Sequence, residues 1–275
     1  MNFNYNTLEV TLNKDTRSVN VALNRPEEQN TINIEMLFEL ESLFGWLTSH
    51  LEVNAVVLTG VGEVFCQGFD QNELKIMSEE KFQKYIVRFQ KIVMGMLSLP
   101  QTIICDLKDG AGGMGIELAL GADIRIARST ATVNFNTLKT GWVPCCGGIS
   151  LLSQWVGASS ARFWTLSSAR VGSEEMFNKG LIGKSYSTSE DALTPILKEI
   201  AAQAPVPRIQ AKRSFLEGMM SELTRGLEYE TVFAFAAMKT EDWKKDVSNE
   251  EECFASARDL ARELKKATRP EPILS

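Results

Sequence analysis

Two glycine-rich segments, each set between an apolar strand-like run and a helix-like run, constrain the fold of this chain more than any other feature. They read Phe65-Cys66-Gln67-Gly68-Phe69-Asp70 and Gly110-Ala111-Gly112-Gly113-Met114-Gly115-Ile116-Glu117. A residue without Cβ lets the backbone approach a neighbour closely or take a positive φ, so at both places the main chain itself can face a ligand. Two such junctions can aim two backbone N–H groups at one oxygen atom. The second also delivers a carboxylate, Glu117, into an apolar helix.

The runs around these junctions alternate in period, the pattern of an α/β fold. Leu8 to Leu12 and Val19 to Leu23 read as a hairpin joined by Asn13-Lys14-Asp15-Thr16. Ile34 to Ser49 carries apolar residues at helical spacing, and Ala55 to Leu58 is the next strand. A charged helix over 78–97 precedes the buried strand Thr102 to Cys105 and the second junction, whose helix runs from Gly115 to Leu120. Strands Ile124 to Ala127 and Thr132 to Phe135, a Pro-Cys-Cys-Gly-Gly turn and a helix from Ile149 to Val156 continue the alternation. From Asp191 onward only helical periodicity remains, predicting helices at about 191–203, 207–224, 226–239 and 249–266. The division that follows is a core over residues 1–200 carrying the site and a helical C-terminal region over 201–275 that packs on the core or on a neighbouring subunit; its use in oligomerisation is implied by the family resemblance given below.

Composition removes several function classes. The net charge of -6, with Lys and Arg scattered, offers no basic stripe for a phosphate backbone, so no nucleic acid is expected as a partner. Neither an export signal nor a run of some 18 apolar residues occurs, which predicts a cytoplasmic protein with no membrane partner. Five cysteines lack Cys-x-x-Cys spacing, and a single histidine, His50, sits at the end of an amphipathic stretch. Reduced thiols, a surface histidine and no metal are the expectation.

Gly110-x-Gly112-x-x-Gly115 formally matches a dinucleotide fingerprint, but it lies mid-chain and the next strand ends in Ile126-Ala127-Arg128, with no acid for a ribose. Cys145-Cys146 stands before a helix whose dipole can lower a thiol pKa; small-residue packing is the competing reading. Glu117, one turn inside an apolar helix, either snorkels outward or is held in a pocket where desolvation raises its pKa and suits it to proton transfer. The pocket is the reading adopted here. Lys139 reads as solvated, and Trp142 as core or pocket wall.

Four ordered pieces together resemble the crotonase (enoyl-CoA hydratase/isomerase) family over nearly the whole chain. They are Val19-Asn20-Val21-Ala22-Leu23-Asn24-Arg25-Pro26, Ala55-Val56-Val57-Leu58-Thr59-Gly60, the first glycine junction, and Gly113-Met114-Gly115-Ile116-Glu117-Leu118-Ala119-Leu120-Gly121-Ala122-Asp123-Ile124. The resemblance implies a spiral of ββα units followed by helices that assemble a homotrimer or hexamer, and an acyl-CoA substrate. Coenzyme A would be part of that substrate and no separate cofactor is implied. By position the amides of Phe69 and Met114 would bind the thioester oxygen, with Gly113 the alternative second donor, and Gly68 would line the same loop. Phe69, where the family usually has a small residue, would narrow the acyl pocket. Asp70 would cap its loop or helix, and Arg25 and Lys75 are the candidates, by location, for the coenzyme phosphates.

Glu117 falls where the family's hydratases keep one of two catalytic glutamates. The second is replaced by Thr137 in Asn136-Thr137-Leu138-Lys139-Thr140-Gly141-Trp142. Thr137 and Asn136 either hold a water or polar acyl group, or satisfy a turn. One acid still shuttles a proton, which favours double-bond isomerisation, hydrolysis or decarboxylation over two-carboxylate hydration. The reading is an acyl-thioester enzyme of the enoyl-CoA hydratase/isomerase type; the alternatives are a catalytically silent thioester-binding scaffold or a decarboxylase acting on acyl carrier protein.

Overall fold

A computed structural model describes residues 3–244 and 256–262. Strands β1 (Leu8–Asn13) and β2 (Ser18–Leu23) form the expected antiparallel hairpin, with Leu8 opposite Leu23. The chain then passes through helix α1 (Ile34–Thr48) to β3 (Ala55–Gly60), and through α2 (Gln71–Ile76) and α3 (Glu79–Ser98) to β4 (Thr102–Asp106). Next come β5 (Gly110–Gly112), α4 (Met114–Leu120), β6 (Ile124–Arg128) and β7 (Thr132–Asn134). They are followed by α5 (Ser150–Val156), α6 (Ala158–Leu166), β8 (Arg170–Gly172), α7 (Ser173–Asn178) and β9 (Lys184–Tyr186). Helices α8 (Ser189–Ala202) and α9 (Pro205–Thr240) complete the series, and residues 256–262 are helical.

The strands form a six-stranded sheet in the order β1-β2-β3-β4-β6-β9, parallel throughout beyond the hairpin, and a small sheet in the order β5-β7-β8. From β4 to β7 successive strands alternate between the two sheets: β4 and β6 join the large one, β5 and β7 the small one. Over this stretch each strand pair adds one strand to each sheet, which generates the spiral. Within β4 the side chains alternate faces, as the pleat requires. Ile103 and Cys105 enter the main core, whereas Ile104 faces a second apolar cluster with Ala192 and Ile200 of α8.

The amphipathic helices form where their periodicity indicates. Asn33 caps α1 by accepting from the Met36 N–H, and Ser78 caps α3 through Lys81 N–H. Phe82, Ile86, Phe89 and Val93 lie on the buried face of α3.

Three sequence expectations change. The predicted helices 207–224 and 226–239 are one continuous helix, α9, because Gly226 marks a close crossing rather than a break: a Cβ there would lie 2.7 Å from the Ser150 Cβ. Strands β8 and β9, three residues each, escape notice because a period-2 signal cannot develop over that length. His50 is half-buried rather than simply on the surface, its ring stacked on Trp46 at 3.8 Å. The remainder of the predicted helix 249–266 lies outside the described residues. Helix α9 contributes Leu216, Leu223, Leu227, Ala234 and Met238 to the same core as the sheets.

Candidate active site

The two glycine junctions are stitched to one another. Phe65 N–H donates to Gly110 O (3.0 Å) and Gly112 N–H to Cys66 O (3.0 Å), so the first loop runs beside β5 as an extra strand. Contact this close needs Gly115 at the start of α4, where any Cβ would overlap the Cys66 carbonyl. It also needs Gly68, at φ 105°, where a Cβ would stand 3.3 Å from the Met114 nitrogen.

The same pairing decides which amides are free. Ile32 takes Gly68 O with its N–H (2.8 Å) and receives Asp70 N–H (3.0 Å). In an extended segment alternate residues point their polar groups to opposite sides, so the Phe69 N–H between them faces away from Ile32. At the second junction Gly113 N–H donates to Asn134 O (3.2 Å). Met114 is the first residue of α4, and its N–H has no acceptor inside the helix. Among the described residues, neither the Phe69 nor the Met114 N–H donates to a protein acceptor. The Gly113 amide, the alternative from sequence, is already occupied.

Gly68, Phe69, Gly113, Met114, Thr137 and Trp142 line one small cavity of about 50 Å³. Gly113 and Thr137 also line an adjoining void of about 10 Å³, whose other side is Glu117. Larger grooves exist, including one of about 230 Å³ between α1 and α3, but those lack convergent N–H donors and a buried acid. Phe69 turns its ring onto Tyr85 (4.7 Å) and Phe89, which makes it a wall fixed by α3. Trp142 is buried and stacked between Phe82 and Trp243, with its Nε1–H unpartnered among the described residues. Thr137 opens a short 3-10 turn, and its carbonyl accepts from Trp142 N–H (3.2 Å). Lys139 is exposed, as expected.

Glu117 is 2% exposed, in the pocket orientation. Its Oε2 accepts from Cys145 N–H (3.0 Å) and Cys146 N–H (2.6 Å), while Oε1 has no partner. Burial pushes its pKa up, the negative charge of Glu230 adds to this, and the turn amides oppose both; the result is a value of about 8. Gly148 is required beside it, since a Cβ there would come within 2.9 Å of the Glu117 carboxyl carbon.

Arg25 and Asp70 brace the first loop from behind. The Arg25 guanidinium donates to Asp70 Oδ2 (2.7 Å) and Thr31 O (2.6 Å), while Asp70 Oδ1 caps α2 through the N–H groups of Asn72 and Glu73. Burial raises the Asp70 carboxyl, but these bonds outweigh it and hold the group below the usual carboxylate range. The Arg25 charge is thus engaged within the protein, and Lys75 is exposed on α2.

The structure places at the site two things that the sequence reading passed over. The Cys145 and Cys146 amides, rather than their thiols, do the contacting; burial pushes the Cys145 thiol up to about 11 and raises the Cys146 thiol well above its ordinary range, against the dipole argument for a nucleophile. Glu117, Cys145 and Cys146 place potential metal-ligand atoms within 4.8 Å of one another, but burial keeps both thiols protonated, which makes a poor cation site. The second omission is Glu230. Its signal was available, because Leu223, Leu227, Glu230, Ala234 and Met238 form one buried stripe at helical spacing, and an acid on such a stripe needs partners.

Two sheets fed by successive strand-strand-helix units, with two stitched glycine loops over a buried acid, define a protein of the crotonase fold. The sequence model described as Enoyl-CoA hydratase/isomerase matches residues 15–256, and the chain belongs to that family. It is 30% identical to the short-chain-enoyl-CoA hydratase of Clostridium acetobutylicum, over 86% of this chain and 91% of that protein. It is 28% identical to the 1,2-epoxyphenylacetyl-CoA isomerase of Escherichia coli, over 83% and 89%. An enoyl-CoA hydratase/isomerase structure from Mycobacterium paratuberculosis superposes with a TM-score of 0.82 at 22% identity, covering 90% of this chain and 99% of that one. No helix among the described residues is long and apolar enough to cross a membrane.

Proposed function

We propose that this chain is an acyl-CoA isomerase-type enzyme that moves a proton with a single carboxylate. The observation that carries the reading is the pairing of Glu117, buried with one free oxygen, with Thr137 across the void where a second acid would stand. Ionised Glu117 takes a proton from the carbon next to the thioester, and the electron pair moves onto the thioester oxygen. The Phe69 and Met114 amides stabilise that oxyanion, each contributing roughly 3 kcal/mol where water is excluded. Protonated Glu117 then returns the proton two carbons further along, and the double bond has moved. Hydration would also require a water to lose a proton while it attacks, and a threonine hydroxyl is too weak a base to assist at neutral pH.

Membership of the enoyl-CoA hydratase/isomerase family supports acyl-CoA as the substrate class. We further read the chain as a cytoplasmic homotrimer or hexamer. Phe215, Tyr229, Val232 and Phe233 of α9 and Phe163 and Leu166 of α6 are large apolar residues exposed on the single chain, which supports self-assembly.

The test is mass-spectrometric product analysis in heavy-oxygen water with 2-enoyl-, 3-enoyl-, branched and carboxylated acyl-CoAs. Unlabelled double-bond isomer is the expected product. Heavy oxygen in a 3-hydroxyacyl product would overturn the one-acid reading, and loss of carbon dioxide would move the assignment to a decarboxylase. Thioester binding without conversion would identify a silent scaffold.

A further inference from the structure

The turn from Pro144 to Ser150 presents no side chain to the substrate in the reading above, yet three helices converge on it. From α3, Gln90 donates to Cys145 O (2.6 Å) and to Thr231 Oγ1 of α9 (2.7 Å). From α4, Glu117 receives the Cys145 and Cys146 N–H groups. From α9, Glu230 accepts Gly147 N–H (2.7 Å), Ile149 N–H (3.3 Å), Ser150 N–H (2.7 Å) and the Ser150 hydroxyl. The amides of one short turn are thus shared between two carboxylates, those of 145 and 146 going to Glu117 and those of 147, 149 and 150 to Glu230. Glu230 is 4% exposed. Its partners in the hydrogen-bond network are all donors and none is a cation, an arrangement that satisfies an ionised carboxylate.

We propose that Glu230, reaching in from the C-terminal helix, is a positioning residue for Glu117: it sets the path of the turn so that the Cys145 and Cys146 amides grip one oxygen of Glu117 and leave the other free for proton transfer. The inference rests on the acid/base reading of Glu117. It adds that the C-terminal helix acts on the reacting carboxylate and does not only cover the core. Two effects follow, one geometric through the turn and one electrostatic through the charge.

The electrostatic effect has few competitors. Among the described residues, the titratable groups that reach Glu117 are Glu230 from α9 and the thiols of Cys145 and Cys146 from the turn; Tyr85 of α3 in turn faces those thiols. Burial keeps the two thiols and the phenol neutral; it also raises the Glu230 carboxyl, against the opposing Ser150, Gly147 and Ile149 donors, so that once Glu230 is ionised its charge is the one that acts on Glu117 and favours the protonated form.

E230Q keeps the shape and removes the charge, whereas E230D keeps the charge and withdraws it by one methylene. Isotope-edited infrared spectroscopy of protein labelled with carbon-13 glutamate, with E117Q identifying the Glu117 band, follows the titration of Glu117 from pH 5 to 10 without substrate. The expected result is that the Glu117 midpoint falls by about one pH unit in E230Q and stays near wild type in E230D. In E230D, kcat is expected to fall about 10- to 100-fold with KM little changed, because the amides that orient Glu117 move. A midpoint unmoved in E230Q, or full kcat in E230D, would overturn the proposal. Should E230Q fail to fold by circular dichroism, S150A, which removes one donor to Glu230, carries the kinetic test in its place: kcat falls with KM little changed, and full kcat overturns the proposal. The titration needs no turnover, so inactivity on every thioester would count against the proposed function and leave this inference standing or falling on the spectrum.

Discussion

At residue scale the proposed chemistry concentrates in Glu117, whose two oxygens have opposite circumstances: one accepts from two amides and the other has no hydrogen-bond partner among the described residues. Replacing it by Gln keeps an oxygen for the amides and removes the proton carrier. E117Q is expected to lose at least about 100-fold in kcat while retaining its circular dichroism spectrum. The pH dependence of stability gives a second check. The folded-state pKa of about 8 lies above the ordinary glutamate value of 4.5, so the folded protein binds more protons than the unfolded chain between these values. The contribution of Glu117 to stability is therefore complete below about pH 4.5 and is lost as pH rises through 8. Thermal melts should show wild type losing more stability than E117Q between pH 5 and 9; parallel curves would mean that Glu117 is not held as described.

At element scale, what matters is how closely pairs of segments approach. Gly226 lets α9 cross the start of α5 at Ser150, immediately beside the turn that holds both buried acids. Substitution to Ala gains about 1 kcal/mol of helix propensity. It also places a methyl group 2.7 Å from the Ser150 Cβ, an overpacking cost of about 1–3 kcal/mol. The second effect should win because both partners are backbone-anchored. Urea denaturation of G226A is expected to show a net loss of about 1 kcal/mol, and a more stable variant would mean that the crossing is looser than this.

Over the whole molecule, the sheets fix the two glycine loops from one side and α9 fixes the turn from the other. Lys212 of α9 also reaches Asp123 (2.8 Å) and the carbonyls of Met96 and Gln101, tying the helix to the core near the start of β6. The apolar residues that α9 leaves exposed support self-assembly, and under the trimer or hexamer reading proposed above the protein is expected to run as three or six copies in light scattering coupled to size exclusion. A monomer at micromolar concentration would remove the assembly reading.

Much of this arrangement is written locally in the chain. The α/β alternation, the boundaries of α1 and α3, the two glycine loops and the buried orientation of Glu117 follow from periodicity, caps and the chemistry of residues without Cβ, which are properties of short segments. The hydrogen bond that commits the Gly113 amide, and so leaves that of Met114, could not be read the same way. Nor could the role of the Cys145 and Cys146 amides or the continuity of α9 through Gly226. These depend on partners far apart in sequence, Asn134 in β7, Glu117 in α4 and Ser150 in α5. Glu230 lies between these cases: its place on an apolar stripe is visible in the sequence, but its partners lie about 80 residues away. The sequence by itself determined which backbone and which acid could do chemistry. Only the tertiary structure decided which N–H groups were left free to do it, because a hydrogen-bond donor is spent or spared according to what the fold brings beside it.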